Sequence, residues 1–428
     1  MADQSHYTLI YEQNGDTNTV DITGYTGSPV DIVIISSYGG APVKSIRKDA
    51  FAGCYTLKSV EIDVPIIGEG AFEGCISLTS VKLSNVTSIS YGAFYGCSKL
   101  QSIALPSTLT NIGGYVFKGC TALESIIIPN TVKSMGSGIF SGCTSLASVN
   151  IDRTTKITSI GDYAFAGCSA LTSITIPNSV TTIGNSAFSN CSSLTEIVIP
   201  DNVTSIYYAA FQKCTSLTSI TIPDSVTGIG SSAFSDCRQL ESVTIPSGVT
   251  SIDSEVFLRC TSLKSITIPN SIKSIGSSAF KDCVLLEGII IPDSVMSIGD
   301  YAFANCSSLT SIMIPESVAN IAEGGFSGCG RLTKIYLESS TPPTLGIDAF
   351  ASLQDNAKLY CPIQSENSYK AAANWNTYAS RITVDAIASY FMINSRVSKA
   401  FFISKDKLKS IVSESSSFAD FKSKIGEL

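Results

Sequence analysis

Apolar and polar positions along this chain follow a long, repeating pattern. In the stretch from Leu217 to Cys237, LTSITIPDSVTGIGSSAFSDC, Leu217, Ile220 and Ile222 are separated by Ser and Thr. Val226, Ile229, Ala233, Phe234 and Cys237 then follow at wider spacing. The order L-x-x-I-x-I-P-x-x-V-x-x-I-G-x-x-A-F-x-x-C recurs from Leu171 to Cys329, with looser copies on either side. From Cys168 to Cys329 the period is 23 residues without exception. A period in this range marks stacked coils, because one coil cannot bury its own apolar face. Within a coil, I-x-I alternates about an exposed position and predicts a strand with one face in the core. Pro closes the strand, since it cannot donate to a ladder. V-x-x-I-G runs back along the other side. A-F-x-x-C puts Ala, Phe and Cys at near one-turn spacing and predicts a short helical or 3-10 turn. All strands share one direction, so one long, curved parallel sheet is expected.

One phenylalanine per coil, from Phe51 to Phe350, gives fourteen coils. At roughly 4.8 Å per strand the stack would be about 65 Å long. The coils occupy residues 32–362. Residues 1–31 form an N-terminal cap, where Tyr7–Ile10 and Val20–Tyr25 flank Asn14-Gly15-Asp16 as a hairpin. Residues 363–382 read as a C-cap helix, in which Tyr369, Ala372 and Trp375 share a face and the only Trp covers the end of the stack. Early Cys spacings of 21 and 22, and one of 25 around Arg153, mark surface loops. Gly follows the second-side Ile in nine coils, but Arg47, Ser90, Tyr207, Asp253 and Ala322 stand there in the others. A strict positive-φ requirement at that position is therefore not expected.

Fourteen cysteines suggest a disulfide scaffold until their phase is read. Thirteen, from Cys54 to Cys329, each lie three residues after a Phe and three before a Leu. One small, apolar thiol per coil at one phase is a packing position. Successive coils bring them within about 5 Å, which is disulfide range, but regular stacking does not need pairing. The reading is a buried thiol ladder. Cys361 replaces an apolar strand residue in the last coil.

Net charge is −7 and only 15% of residues are charged. No broad basic face for nucleic acid is expected. No apolar run is long enough to span a membrane. The first six residues lack a charged stretch before an apolar core, so they do not read as a signal peptide. Either the chain is intracellular or Met1 opens a mature form. The sole histidine, His6, leaves nucleophilic dyads and triads without a base. No metal-ligand spacing, phosphate loop or dinucleotide fingerprint occurs, so no cofactor and no catalysis are expected.

Residues 383–428 carry no repeat and hold seven Lys and Arg against five acids. Large apolar residues such as Tyr390, Phe391, Phe401 and Phe402 suggest amphipathic helices. Such a helical tail is expected to dock on the solenoid or to drive self-association.

Function is then sought on exposed columns of the strand side. The column between the two Ile residues has a Thr ladder in its middle, which strand propensity explains. It ends in Ile290, Met313, Tyr336 and Tyr360. That apolar and aromatic run on a Ser/Thr face reads either as a partner-docking patch or as a surface under the cap or tail. Ser repeats in the neighbouring column, interrupted by Glu196, Gly288 and Lys334.

With its Cys and its A-F pair, the coil resembles the BspA-like, or Treponema pallidum-type, class of leucine-rich repeats over about residues 31–362. Lys358-Leu359-Tyr360-Cys361-Pro362, followed by Ser368-Tyr369-Lys370-Ala371 and Trp375, is similar to that family's terminal segment, where Val normally stands at the position of Cys361. The resemblance implies a leucine-rich-repeat solenoid and a non-enzymatic surface or secreted protein of host-associated microbes. It implies adhesion to a protein or glycan ligand, host extracellular matrix among them. The alternative is a cytoplasmic or particle-associated scaffold attached or oligomerised through its tail.

Overall fold

The structure is a computed structural model that describes residues 7–15 and 18–384. His6 and the tail beyond Val384 lie outside the described residues. The chain winds into a parallel β-solenoid of about 16 turns. Fourteen turns carry the expected phenylalanines, and the two ends supply the rest. At the start, Tyr7–Gln13 pairs antiparallel with Val20–Gly27. The second of these strands then runs parallel to Ala41–Ile46, with Ile22 beside Ile46. Tyr25 stacks on Phe51 at 5.4 Å and 6°. The hairpin thus takes the side-chain positions of a coil.

The core is a set of side-chain columns. Phe51 to Phe350 form a continuous spine with ring centroids 5.0 to 5.9 Å apart and planes within 16°. Offset stacking of this kind adds roughly 0.5–1.5 kcal/mol per pair beyond area burial. At the far end Trp375 tilts against Phe350 at 6.0 Å, and Tyr378 meets it edge-on at 5.9 Å. Trp375 is fully buried, and its Nε1–H donates to Pro343 O at 2.7 Å.

Each coil has three hydrogen-bonded sides. On the Ile-Gly side, two-residue strands such as Ser205–Ile206 and Gly228–Ile229 pair in parallel register. Gly here answers to close approach and not to φ. A Cβ on Gly136 would lie 2.2 Å from Gly114 N, and one on Gly346 would lie 2.3 Å from Glu323 N.

The A-F-x-x-C side forms the short turns expected there and no continuous helix. Successive turns form, as in Ser235 N–H to Ser232 O, Cys237 N–H to Phe234 O and Leu240 N–H to Cys237 O, at 3.0–3.1 Å. Ser232 and Asp236 hold φ of 58° and 59°, which ends any helical run. Alternate amides reach the next coil: Ser232 N–H to Ser254 O, Phe234 N–H to Val256 O and Asp236 N–H to Leu258 O, at 2.7–2.9 Å. A left-handed residue costs about 1 kcal/mol when it is not Gly. These cross-coil bonds hold it in place.

The cysteine column explains itself here. All fourteen cysteines are free and buried. From Cys75 to Cys329 each Sγ–H donates to the Phe carbonyl of the preceding coil, for example Cys237 to Phe211 O at 3.2 Å. That carbonyl also accepts the N–H of its own coil's Cys, as Phe211 O does from Cys214 at 3.2 Å. The thiol is small enough for the core and fills a second lone pair that an alkyl group would leave empty. Burial pushes Cys75, Cys168 and Cys329 up to about 12. Neutral thiols therefore persist at neutral pH.

The I-x-I side differs from the single long sheet expected. It is divided into four parallel sheets, with isolated bridges at Thr175–Val198–Thr221 and Ser219–Ser242. Cross-coil bonds stretch to 3.4 Å at Thr218 N–Thr195 O and Glu287 N–Lys264 O, against 2.8 Å at Gly230 N–Ile206 O across the Ile-Gly side. Pro directly after the second Ile removes a donor from most coils.

In place of one helix over 363–382, the chain forms 3-10 turns at Ile363–Ser365 and Trp375–Tyr378 around the short helix Glu366–Ala371. Asn374 at φ 63° breaks the run. Its Nδ2–H donates to Leu345 O at 2.6 Å, which ties the break to the stack. Ile382–Thr383 then adds a parallel strand beside Lys358–Tyr360.

Candidate ligand-binding face

The outward column of the I-x-I side is set by strand geometry. Alternate side chains face out, so residues one coil apart lie side by side. Register places Met313 beside Tyr336, and Tyr336 beside Tyr360. Thr383 follows Tyr360. Ile290 belongs to the coil before Met313, in a segment outside the named strands, and is 65% exposed. Met313, Tyr336 and Tyr360 are half-buried. The two tyrosine rings stack at 5.1 Å and 18°. Three of the four residues thus form a contiguous ladder, with Ile290 one coil back. Cys361, on the core side next to Tyr360, is pushed up to about 11 by burial.

One feature of this face was not singled out from the sequence. On the same strands, two residues before each tyrosine, register sets Lys334 beside Lys358. Both are exposed. Earlier on this side Lys82 is paired with Glu61 at 2.9 Å and Lys264 with Glu241 at 3.1 Å. Among the described residues, neither Lys334 nor Lys358 has an ion-pair partner. Arg381 extends the cationic line. It pairs with Asp355 at 3.6 Å and donates to Gln354 O. The sequence signal was the Lys that interrupts the Ser column at 334. What it lacked was the register that puts Lys358 next to it.

A second aromatic group lies on the turn side. Lys118 Nζ sits 5.3 and 5.1 Å from the Tyr95 and Tyr115 ring centroids, and Tyr91 meets Tyr115 edge-on. Tyr115 also lies across Gly138, where a Cβ would come within 2.3 Å of its ring. Those rings are engaged within the chain.

Other polar clusters are structural. The buried Asp236 carboxylate takes Arg238 at 3.0 Å and Arg259 at 3.7 Å, and Arg259 reaches Asp282 at 3.8 Å. Among the described residues, no group of three or more His, Cys, Asp or Glu side chains is placed to hold a metal ion. No helix among them is long and apolar enough to cross a membrane.

The model of the BspA type leucine-rich repeat region matches residues 44–170, 158–287, 230–356 and 273–391. The chain belongs to this family. Among solved structures, it is similar to a leucine-rich repeat protein from Bacteroides ovatus, with 27% identity over 88% of this chain and 98% of that one, at a TM-score of 0.64. A leucine rich cell surface protein from Faecalibacterium prausnitzii is 33% identical over 79% of this chain and 94% of its own, at a TM-score of 0.51. A leucine-rich repeat protein from Eubacterium ventriosum shares the fold at 24% identity and a TM-score of 0.50, over 75% of this chain and 92% of that one. No curated protein matches the chain. Solenoids of this family are typically non-enzymatic and surface-associated, and leucine-rich-repeat folds generally mediate protein binding.

Proposed function

We propose that this protein is a non-enzymatic adhesion-type binder that takes a protein or glycan ligand on the C-terminal part of its I-x-I side. The observation that carries this reading is the column Ile290–Met313–Tyr336–Tyr360, four consecutive apolar or aromatic residues, where the exposed Val33, Ile127 and Val198 earlier in the column stand singly. Tyr and Met are enriched at the cores of interfaces. A rigid stack presents such residues with little ordering cost on binding, because their backbones are held coil to coil. The named cell-surface relative supports a surface or secreted setting, with ligands outside the cell, host matrix included.

The test is capture from a panel of immobilised extracellular matrix proteins and glycans by the full chain, alongside Tyr336→Ala/Tyr360→Ala. Loss of capture with an unchanged melting temperature is the expected result. A melting temperature that falls sharply, with binding per folded molecule unchanged, would make the two tyrosines structural.

A further inference from the structure

We infer that the ligand of this face is the acidic segment of another polypeptide, with carboxylates on Lys334 and Lys358 and an apolar side chain along Ile290–Met313. The inference rests on the binding-face reading above and adds the chemistry of the ligand. Two ammonium groups stand on adjacent strands with no carboxylate partner among the described residues, whereas Lys82 and Lys264 on the same side are each neutralised by a Glu one coil away. Adjacent parallel strands lie about 4.8 Å apart, so one anionic segment can reach both lysines. The chain as a whole is acidic, with net charge −7, so this is a local reversal of sign and not part of a basic surface. Like charges are kept together at an interface when the partner supplies the opposite sign.

The arrangement of the tyrosines selects among anionic ligands. Tyr336 and Tyr360 stack face to face at 5.1 Å, so their mutually facing ring surfaces are closed to a sugar ring. Beside them in the column stand the thioether of Met313 and the alkyl side chain of Ile290. Those groups suit an aliphatic or aromatic side chain better than a pyranose. Thr383 registers with Tyr360, and residues 385–428 follow in the sequence. That segment carries seven basic and five acidic residues, a net charge of +2, and does not complement Lys334 and Lys358.

The probe is a fluorescein-labelled peptide of consecutive glutamates ending in two leucines, titrated into the full chain and read by fluorescence anisotropy. A lysine-for-glutamate peptide and heparin serve as comparisons. Saturable binding of the acidic peptide, weakened by added salt and at least roughly tenfold weaker for Lys334→Glu/Lys358→Glu, is expected. Lys334→Arg/Lys358→Arg should keep the affinity within a fewfold. Equal affinity for wild type and the Glu variant would overturn the assignment, as would no binding of the acidic peptide. Heparin binding that depends on Tyr336 and Tyr360, with no acidic-peptide binding, would leave the face as a ligand site and replace the ligand by an anionic glycan. Peptide binding indifferent to both the lysine and the tyrosine variants would count against the face itself.

Discussion

Raising the pH should unfold this solenoid within a narrow range, because its thiols are acids held neutral by burial. The twelve cysteines from Cys75 to Cys329 form a dry column in which each S–H is used as a donor. Burial pushes Cys75, Cys168 and Cys329 up to about 12, and raises the others well above their ordinary value. An unfolded thiol ionises near 8.5. Because the folded value is the higher one, stability is complete below the unfolded value and falls as pH climbs towards the folded value. Each pH unit in that window costs about 1.36 kcal/mol per thiol. For twelve thiols the loss is roughly 17 kcal/mol at pH 9.5 and roughly 33 kcal/mol at pH 10.5. A chain of this length would carry about 20–65 kcal/mol at ordinary stability per residue. The midpoint of alkaline unfolding should therefore fall between about pH 9.7 and 12. Circular dichroism and ultraviolet thiolate absorbance, followed in one titration, check this. Both signals should change together, since a coil's thiol ionises only when the coil opens. Thiolate absorbance that rises near pH 9 in a chain with unchanged circular dichroism would refute the argument.

Further perturbations test the columns one at a time by denaturant unfolding. Phe211→Ala removes a ring stacked on Phe188 and Phe234 and should cost about 3–5 kcal/mol. Cys237→Ala empties part of the core and leaves Phe211 O one donor short, for about 1–3 kcal/mol, whereas Cys237→Ser keeps the donor and should lose less. Gly136→Ala should cost roughly 2 kcal/mol or more, because its Cβ would sit 2.2 Å from a backbone nitrogen, while Gly161→Ala in the same column has 3.4 Å and should be nearly neutral. Trp375→Ala opens the end of the spine and should cost about 3–5 kcal/mol, with the loss of protection greatest in the last coils.

The periodic residues made the fold legible because each of them serves packing. Phe234 and Cys237 announce their burial by recurring at one phase, and the sequence is enough to place them. Their hydrogen bonds were not legible. A thiol donating to a carbonyl 26 residues earlier, as Cys237 does to Phe211, needs the coil path to be known. The cross-coil bonds of the turns were hidden for a similar reason. Ser232 and Asp236 hold a left-handed backbone at positions where other coils have Gly, as at Gly138 and Gly142, and cross-coil amide bonds impose the conformation on them. Helical spacing from Ser368 to Ile382 was real, but Asn374 trades a helical turn for a bond to Leu345 O. On the candidate face, the outward column could be read from alternation alone. The lysine pair could not, because its members are 24 residues apart and become neighbours only through register.

The most direct test of the binding face is a hydrogen-exchange footprint of the full chain with a captured matrix protein or glycan. The account predicts protection concentrated in 287–291, Ser311–Ile314, Lys334–Leu337 and Lys358–Tyr360, with the Ile-Gly side unchanged. Protection centred on the turn side around Tyr91, Tyr95 and Tyr115, with those four segments unaffected, would contradict it.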